Sequence, residues 1–201
     1  MEERKYCMCC GEDVPVNRIE RQGRAELTCI NCGFTLEFVE PAPETLHTVP
    51  CVIAVDDAEG QRTLLQGLLE HSGLAEEVVA LHSGAELVST IARRFAEGLP
   101  VDLVILDIEM PAMDGFTAAR FLRSLEAKLH RRLCPVIFFT ARVADDNLRR
   151  QMAHFRPAWY CAKGKDGDQA AFERRAATLI RYVTDLLTRK DGSARAPETP
   201  D

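Results

Sequence analysis

The sequence predicts an α/β protein, in which a parallel sheet lies between layers of helices, with a small cysteine-rich unit at the amino terminus. Three observations support this prediction. Apolar strand-like runs alternate with helical patterns from about residue 49 onwards, and such alternation is typical of parallel sheets covered by helices. Charged side chains stand where several of these runs end. Two Cys-x-x-Cys pairs fall before residue 33.

The overall composition narrows the class of protein. The 201 residues are 46% apolar and 28% charged, as in soluble globular proteins. The net charge of −6 gives no general attraction to nucleic acid or anionic membranes. No apolar run approaches the roughly 20 residues that span a bilayer, and the start MEERKY lacks a secretory signal's apolar core. We therefore expect a cytoplasmic protein with no membrane partner, whose cysteines are metal ligands and core residues rather than disulfides.

Composition also divides the chain into segments. Residues 1–39 contain five of the eight cysteines. Residues 40–48 are rich in proline and polar side chains, as expected for a linker. Residues 49–190 carry the strand and helix patterns, and residues 191–201 have the composition of a disordered tail.

The strands and helices of the large segment follow from its apolar spacing. PCVIAV is an uninterrupted β-branched run, which predicts a strand buried on both faces. The later predicted strands are EVVAL, VDLVIL, PVIFFT and AWYCA. The predicted helices cover residues 62–69, 85–96, 116–129, 144–154 and 172–187. In the third helix we expect Phe121, Leu122 and Leu125 on the apolar side.

Polar residues at the ends of these strands form a candidate site, because ligands of open α/β sheets bind beyond the carboxyl ends of the strands. The residues are Asp56, Asp57, Asp107, Thr140 and Lys163. Three carboxylates at one edge would repel one another without a cation, and oxygen ligands with room for water suit Mg²⁺. Such a set can hold a phosphoryl group, with Asp107 attacking phosphorus while Mg²⁺ and Lys163 neutralise the other oxygens.

Each of these residues also has an ordinary structural explanation. A single aspartate after a strand is most often a turn residue or a helix cap. A single lysine is usually solvated, and threonine is a common strand residue. Because all of them stand at successive strand ends, the combination favours a phosphoryl site over unrelated structural residues.

Residues 49–189 resemble the receiver domains of bacterial two-component response regulators. The resemblance rests on VDD, LDIEMPAMDG, FFTA and the lysine after WYC, which stand in the family's order. It implies a doubly wound, flavodoxin-like sheet of five parallel strands in the order 2-1-3-4-5. It also implies that Asp107 is the phosphoacceptor, with Asp56, Asp57 and the backbone carbonyl of Glu109 arranging Mg²⁺.

The resemblance implies further roles near the end of the sheet. Lys163 would contact the phosphoryl oxygens, and Thr140 would be the switch hydroxyl. Tyr160 matches the switch aromatic, although a plain core or surface tyrosine is an equal alternative. Gly164 departs from the family, which usually has proline after the lysine, across a cis peptide. Because a cis bond costs about 3 kcal/mol before a non-proline residue, we expect a different loop geometry and a less rigid Lys163.

The cysteine pairs are Cys7-x-x-Cys10-Gly and Cys29-x-x-Cys32-Gly, which suit a tetrahedral Zn²⁺ held by four thiolates. With a hairpin tip at RQGR between them and the strand FTLEFV after them, residues 1–39 resemble a zinc ribbon. Some 40 residues bury too little surface to fold alone, so the metal would supply much of the stability. A chance cluster of core cysteines is the alternative.

Four cysteines fall outside these pairs. Cys51, Cys134 and Cys161 border or lie in predicted strands and are expected to be small core residues. Cys9 belongs to neither pair, and it is an alternative metal ligand, an exposed thiol or a residue without a role in metal binding.

The favoured function is a stand-alone response regulator, phosphorylated by a histidine kinase or a phosphotransfer protein. It would not be a turnover enzyme, since its chemistry is limited to its own phosphorylation and dephosphorylation. Output would pass to an unknown protein through protein contacts, and a phosphorylation-dependent homodimer is a candidate output form. Haloacid-dehalogenase-like phosphatases use similar groups, but their nucleophile precedes the acidic pair and a second aspartate stands where this chain has Glu109.

A nucleic-acid adaptor built on the ribbon is the other alternative. Residues 1–40 contain five basic and eight acidic side chains, and four thiolates on Zn²⁺ leave a further charge of about −2. Because nucleic-acid affinity comes largely from neutralising phosphates, we do not expect this binding. Phe34, Leu36 and Phe38 offer an apolar strip for a protein partner, with packing inside the ribbon as the alternative.

Overall fold

The computed structural model describes residues 3–7, 10–21, 24–39, 48–142, 145–164 and 169–187. They form a four-stranded sheet at the amino terminus and a five-stranded sheet after it. Most of the predicted linker, the predicted tail and Cys9 lie outside the described residues. The exact segment boundaries therefore stay predictions. No helix in the described part of the chain combines the length and apolarity needed to cross a bilayer.

The amino-terminal sheet is antiparallel throughout. Its strands are β1 (Arg4–Cys7), β2 (Glu12–Arg21), β3 (Arg24–Cys29) and β4 (Thr35–Phe38), in that spatial order. Strands β2 and β3 form the predicted hairpin, in which Arg21 pairs with Arg24. The strand expected after the second cysteine pair is β4. The sequence therefore predicted the hairpin and β4, whereas it made no prediction of β1.

The large sheet is parallel and has the predicted order. Its strands are β5 (Val49–Val55), β6 (Ala75–Leu81), β7 (Leu103–Leu106), β8 (Val136–Thr140) and β9 (Ala158–Ala162). They lie in the order β6-β5-β7-β8-β9, which is 2-1-3-4-5 within this sheet. Every residue of β7 and β8 is buried, because helices cover both faces. The predicted fold class is confirmed.

Helices connect these strands and cover the sheet. They are α1 (Glu59–His71), α2 (Gly84–Ala96), α3 (Gly115–Lys128), α4 (Asp146–Met152) and α5 (Gln169–Leu187). Side chains of Ser83, Asp114 and Asp145 accept backbone hydrogen bonds at the starts of α2, α3 and α4. The fourth helix is shorter than predicted, and a 3₁₀ turn at Ala153–Phe155 follows it. Proline at position 157 disfavours helical geometry at Arg156, which has a ψ of 138° and ends the 3₁₀ turn.

A hydrophobic core lies on each face of the parallel sheet. One core contains buried residues of α2, α3 and α4, and the other contains those of α1 and α5. The predicted apolar face of α5 is confirmed for Phe172, Ala176, Leu179, Ile180 and Val183. The side chains of residues 186 and 187 lie outside the described set.

One predicted core position is wrong. Phe121 is 46% exposed, whereas Leu122 is buried and Leu125 packs against the core. The buried stripe of α3 includes Phe116, Ala119 and Leu122, and a neighbouring residue is turned by about 100° around the helix. Phe121 therefore faces away from the sheet.

Gly115 connects the fold to the candidate site. Its amide donates a hydrogen bond to the Ile108 carbonyl at 2.9 Å, and an added Cβ would lie 2.1 Å from the carbonyl oxygen of Asp107. Since the obstacle is backbone, we expect Gly115→Ala to lower the free energy of unfolding by about 1–3 kcal/mol. Gly60→Ala in the first turn of α1 is the control, because nothing lies within 4 Å of its added Cβ. Urea denaturation compares them, and equal stability of both variants would contradict the close approach.

Candidate functional site

Three acidic side chains meet at the carboxyl edge of the parallel sheet. Asp56 and Asp57 follow β5, and Asp107 follows β7, its hydrogen-bonded neighbour. Carboxylate oxygens of the three lie within 4.8 Å of one another. Asp56 and Asp107 are buried and Asp57 is exposed, so the cluster opens to solvent on one side. The structure therefore brings together the acids that the sequence placed at separate strand ends.

Lys163 joins this cluster from the end of β9. Its ammonium group contacts the Asp107 carboxylate and lies 2.6 Å from Oδ2 of Asp56. The lysine is only 4% exposed, which shows that it is not an ordinary solvated side chain. Its backbone N–H donates to the Thr140 carbonyl at 2.8 Å, which holds the end of β9 against β8. The other oxygen of Asp107 accepts the Glu109 backbone N–H at 3.2 Å.

The charges of this cluster favour an additional cation. Burial raises the pKa of the Asp56 carboxyl above its ordinary value, and the nearby charge of Lys163 offsets this only in part. Asp56 Oδ2 is buried, and its partner among the described residues is the Lys163 ammonium at 2.6 Å. Three carboxylates facing one ammonium leave uncompensated negative charge. The residues present therefore fit a hard divalent cation with oxygen ligands, such as Mg²⁺.

Arg62 is a site residue that the sequence reasoning missed. Its guanidinium donates to the backbone carbonyl of Asp56 at 2.8 Å and to that of Asp57 at 3.4 Å. The Asp56 side chain also accepts the Ala58 N–H at 3.0 Å, which fixes the turn that carries both acids. A basic residue in the first turn of a helix is unfavourable next to the positive end of its dipole. That misplaced charge is the signal that could have identified Arg62.

Thr140 and Tyr160 both contact the backbone of Arg142. The Thr140 hydroxyl oxygen accepts the Arg142 N–H at 3.3 Å, and the Tyr160 hydroxyl donates to the Arg142 carbonyl at 2.5 Å. Thr140 is fully buried, and Tyr160 is a buried member of the core below α2, α3 and α4. The loop after β8 is thus held from two sides by the two residues that the resemblance implied for switching. That role itself stays a prediction.

The loop after Lys163 differs from the implied family geometry, as expected from its glycine. Gly164 has a φ of +96°, a backbone conformation that favours glycine. Within the described residues, the cis peptide bond lies at Arg156–Pro157 and not after Lys163. The implied Glu109 carbonyl ligand is not tested by these contacts and stays a prediction.

The second cluster contains the four paired cysteines of the ribbon. Their sulfur atoms lie within 4.8 Å of one another, with Cys7 and Cys32 at 3.6 Å and Cys10 and Cys29 at 3.7 Å. Four sulfurs at about 2.3 Å from one tetrahedral ion would be about 3.8 Å apart, so this spacing suits Zn²⁺. Backbone N–H groups of Cys10 and Asn31 donate to Cys7 and Cys29 sulfurs.

The backbone and the electrostatics of this cluster also suit a metal. The glycines that close the pairs, Gly11 and Gly33, have φ values of +74° and +70°, a conformation that glycine adopts easily. Contact with Cys32 and burial raise the pKa of the Cys7 thiol, and burial with the same neighbour raises the pKa of Cys10 to about 12. Crowded thiols resist ionisation until a cation binds them.

Three of the remaining cysteines and part of the predicted apolar strip pack inside the protein. Cys51, Cys134 and Cys161 are buried, as expected for core residues. Leu36 packs against the cysteine cluster, so for this residue the internal alternative to a partner strip is correct, whereas Phe34 packs both on the cluster and on α5 of the same chain. The side chain of Phe38 lies outside the described set.

Known proteins match the part of the chain that contains the acidic cluster. The family model described as "Response regulator receiver domain" matches residues 52–156, which include Asp56, Asp57, Asp107 and Thr140. The sensor histidine kinase GacS of Pseudomonas protegens is 30% identical over 162 residues, which is 81% of this chain and 16% of that protein. The chemotaxis protein CheY of Bacillus subtilis is 32% identical over 94 residues, which is 47% of this chain and 73% of that protein.

A solved receiver-domain structure has the same fold as the parallel-sheet part of this chain. The receiver domain of the histidine kinase CKI1 from Arabidopsis thaliana, complexed with Mg²⁺, has a TM-score of 0.54 and 24% identity. The match covers 71% of this chain and 97% of that chain. The family match ends before Lys163 and does not include the four-cysteine cluster, which therefore rests on its own geometry.

Proposed function

The chain belongs to the response regulator receiver family, and on this premise we propose that it accepts a phosphoryl group on Asp107 from a histidine kinase or a phosphotransfer protein. The observation that carries the proposal is the buried Lys163 ammonium, which contacts both Asp107 and Asp56. Burying a lysine and two acids carries a desolvation cost that lowers the stability of the fold. Such arrangements are typical of functional sites, and phosphoryl transfer is a function that needs these groups.

The chemistry follows from the positions of these groups. A carboxylate oxygen of Asp107 attacks phosphorus, and the new P–O bond forms as the P–N bond of a phosphohistidine breaks. The imidazole nitrogen leaves with the electron pair. Lys163 lies against the attacking carboxylate, so its charge meets the oxygens of the incoming phosphoryl group. The Glu109 N–H orients the carboxylate from the other side.

We propose that Asp56, Asp57, Asp107 and the Glu109 carbonyl hold Mg²⁺ at this edge. When bound, Mg²⁺ neutralises charge on the transferring phosphoryl oxygens. Arg62 holds the backbone of both acids in the first turn after β5, so they do not have to be ordered when the cation arrives. Mg²⁺ would also give the buried Asp56 carboxylate a second cation beside Lys163.

We propose that the backbone of Arg142 transmits the effect of phosphorylation to the loop after β8. Thr140 accepts a hydrogen bond from the Arg142 backbone, which leaves its own O–H free to donate to a phosphoryl oxygen. Tyr160 donates to the carbonyl of Arg142. A shift of Thr140 toward the phosphoryl group would therefore pull on the loop that Tyr160 also holds. Another protein would then bind the altered conformation of this loop.

The amino-terminal unit is proposed to be a zinc ribbon. Cys7, Cys10, Cys29 and Cys32 supply four sulfurs with the spacing of a tetrahedral site, and no fifth ligand position is needed. The metal would be structural, because four thiolates leave no open position for a substrate.

Intact-mass measurement tests the phosphoacceptor function. Incubation with acetyl phosphate and Mg²⁺ should add one phosphoryl group per chain, and the same incubation with excess EDTA should add far less. The protein should not release phosphate repeatedly from small phosphomonoesters, because Glu109 stands where phosphatases with similar groups have a second aspartate, and the acidic pair precedes the nucleophile. Steady turnover of such a substrate, or no adduct with Mg²⁺ present, would contradict the proposal.

A further inference from the structure

The ribbon contacts the receiver next to its lysine. The Phe34 ring packs on Tyr182 of α5 with centroids 5.0 Å apart. The Arg175 guanidinium, also on α5, lies 5.0 Å from the centroid of the Tyr6 ring. Tyr6 and Phe34 both pack against the core cluster that contains the buried residues of α5. We call these four residues the ribbon–α5 contact.

A third approach occurs at the end of β9. A Cβ on Gly11, which closes the first cysteine pair, would lie 3.9 Å from the Cβ of Ala162. Ala162 immediately precedes Lys163, and Tyr6 immediately precedes the proposed zinc ligand Cys7. The first cysteine pair therefore lies against the strand end that delivers Lys163 to Asp107.

Arg175 also packs against the residue after that lysine. A Cβ built on Gly164 would lie 1.1 Å from Nη1 of Arg175 and 2.3 Å from its Cζ. The guanidinium thus occupies the space of a side chain at position 164. Two observations explain the glycine at this position. Its φ of +96° disfavours residues with a side chain, and Arg175 occupies the space of a Cβ. One guanidinium is consequently in contact with the Lys163–Gly164 loop and with the ribbon.

On the ribbon side, the ring of Tyr6 holds this guanidinium in position. Arg175 Nη1 and the Tyr6 hydroxyl are both buried. Burial raises the pKa of the Tyr6 hydroxyl, and the nearby charge of Arg175 offsets this in part. An arginine over an aromatic face is held by the ring's electrostatic field and by stacking rather than by a hydrogen bond. The Tyr6 ring is therefore the part of the residue that packs against the Arg175 guanidinium.

We propose that Arg175 is a positioning residue that couples the metal-bound ribbon to Lys163. The folded ribbon holds Tyr6 over Arg175, Arg175 packs on Gly164, and Lys163 is thereby kept at Asp107. This contact supplies the restraint that the family's proline after the lysine would otherwise provide. The inference rests on the proposed function, since it assigns Lys163 to the phosphoryl site. Coupling between two binding equilibria is reciprocal, so a phosphoryl analogue that binds more tightly to the zinc-loaded protein must in turn favour zinc binding.

The test combines zinc removal with substitution in the full-length chain. In the wild type, we expect chelation of zinc to slow labelling by acetyl phosphate roughly 2- to 30-fold, the range of one cation–π contact. Arg175→Ala should slow labelling by a similar factor, and chelation should then cause no further loss. Non-additivity of this kind identifies coupling, because independent defects would multiply.

Zinc affinity provides a readout that does not depend on phosphorylation kinetics. Beryllofluoride with Mg²⁺ should tighten zinc binding in the wild type, measured by competition with a chromophoric chelator, and should leave it unchanged in Arg175→Ala. Arg174→Ala is the matched control, because this neighbour on α5 is exposed. Tyr6→Phe should behave as wild type, whereas Tyr6→Leu should behave as Arg175→Ala while still binding one zinc.

The two proposals fail in different ways. A zinc-loaded wild type that cannot be labelled with Mg²⁺ present would overturn the phosphoacceptor function. A wild type that is labelled equally fast with and without zinc, or an Arg175→Ala protein that still slows on chelation, would overturn the coupling alone. If Arg175→Ala does not fold, Tyr6→Leu decides, since its change lies outside the parallel sheet.

Discussion

Replacing Asp107 with asparagine should abolish formation of the acyl phosphate. The substituted amide has nearly the same shape but is a poor nucleophile and carries no charge for a cation. Lys163 would still have Asp56, so the variant should remain folded. The measurement is intact mass after incubation with acetyl phosphate and Mg²⁺, followed by hydroxylamine, which cleaves acyl phosphates.

Asp114→Asn is the matched control for this experiment. Asp114 lies in the same loop and is exposed, and its side chain caps α3 by accepting the Thr117 N–H at 2.6 Å. Asparagine caps helices about as well as aspartate, so the control removes one nearby acid without removing the cap. It should be labelled like the wild type. Undiminished labelling of Asp107→Asn would show that another residue accepts the phosphoryl group.

Replacing Cys29 and Cys32 together with serine should remove the zinc and unfold the ribbon. The pair supplies two of the four sulfurs, and zinc held by four thiolates contributes on the order of 10–16 kcal/mol at pH 7 in small zinc-dependent domains. The small core of the ribbon consists mainly of the cysteines themselves with Val14, Phe34 and Leu36. That core is too small to replace the metal. Metal analysis should find one zinc in the wild type and none in the variant.

The control is Cys134→Ser, which changes a buried cysteine far from the cluster. Its sulfur donates to the Pro135 carbonyl at 3.4 Å, a hydrogen bond that a serine hydroxyl can replace. This variant should keep one zinc. Acid should also release the metal from the wild type, because the pKa of Cys10 is raised to about 12 without it and protons compete for the sulfurs. A full zinc equivalent in the double variant would place the ligands elsewhere.

Much of the acidic site was predictable because parallel strands end at one edge of a sheet. Asp56, Asp107 and Lys163 follow apolar runs, so the chain order alone indicates that they converge. The cysteine pairs were predictable for a related reason, since each pair and its glycine form a local turn. In both cases the pattern depends on spacing along one strand or one turn, which the sequence shows directly.

Interactions between distant segments were not visible in the same way. The sequence shows apolar residues of α3 but not which neighbour faces the sheet, and Phe121 was therefore assigned to the wrong side. The sequence pattern does not show which groups Arg62 and Arg142 contact. Only the tertiary structure shows that Arg62 holds the acidic turn and that Arg142 connects Thr140 with Tyr160.

The sequence by itself determined the alternation of strands and helices, the residues at the sheet edge and the two cysteine pairs that cluster in the ribbon. The tertiary structure decided how the ribbon lies against α5 and that Arg175 fills the space beside Gly164. Periodicity reports the environment of a residue within its own helix or strand. The contact of Tyr6 with Arg175 joins residues 169 positions apart, and its formation depends on the shapes of two folded surfaces.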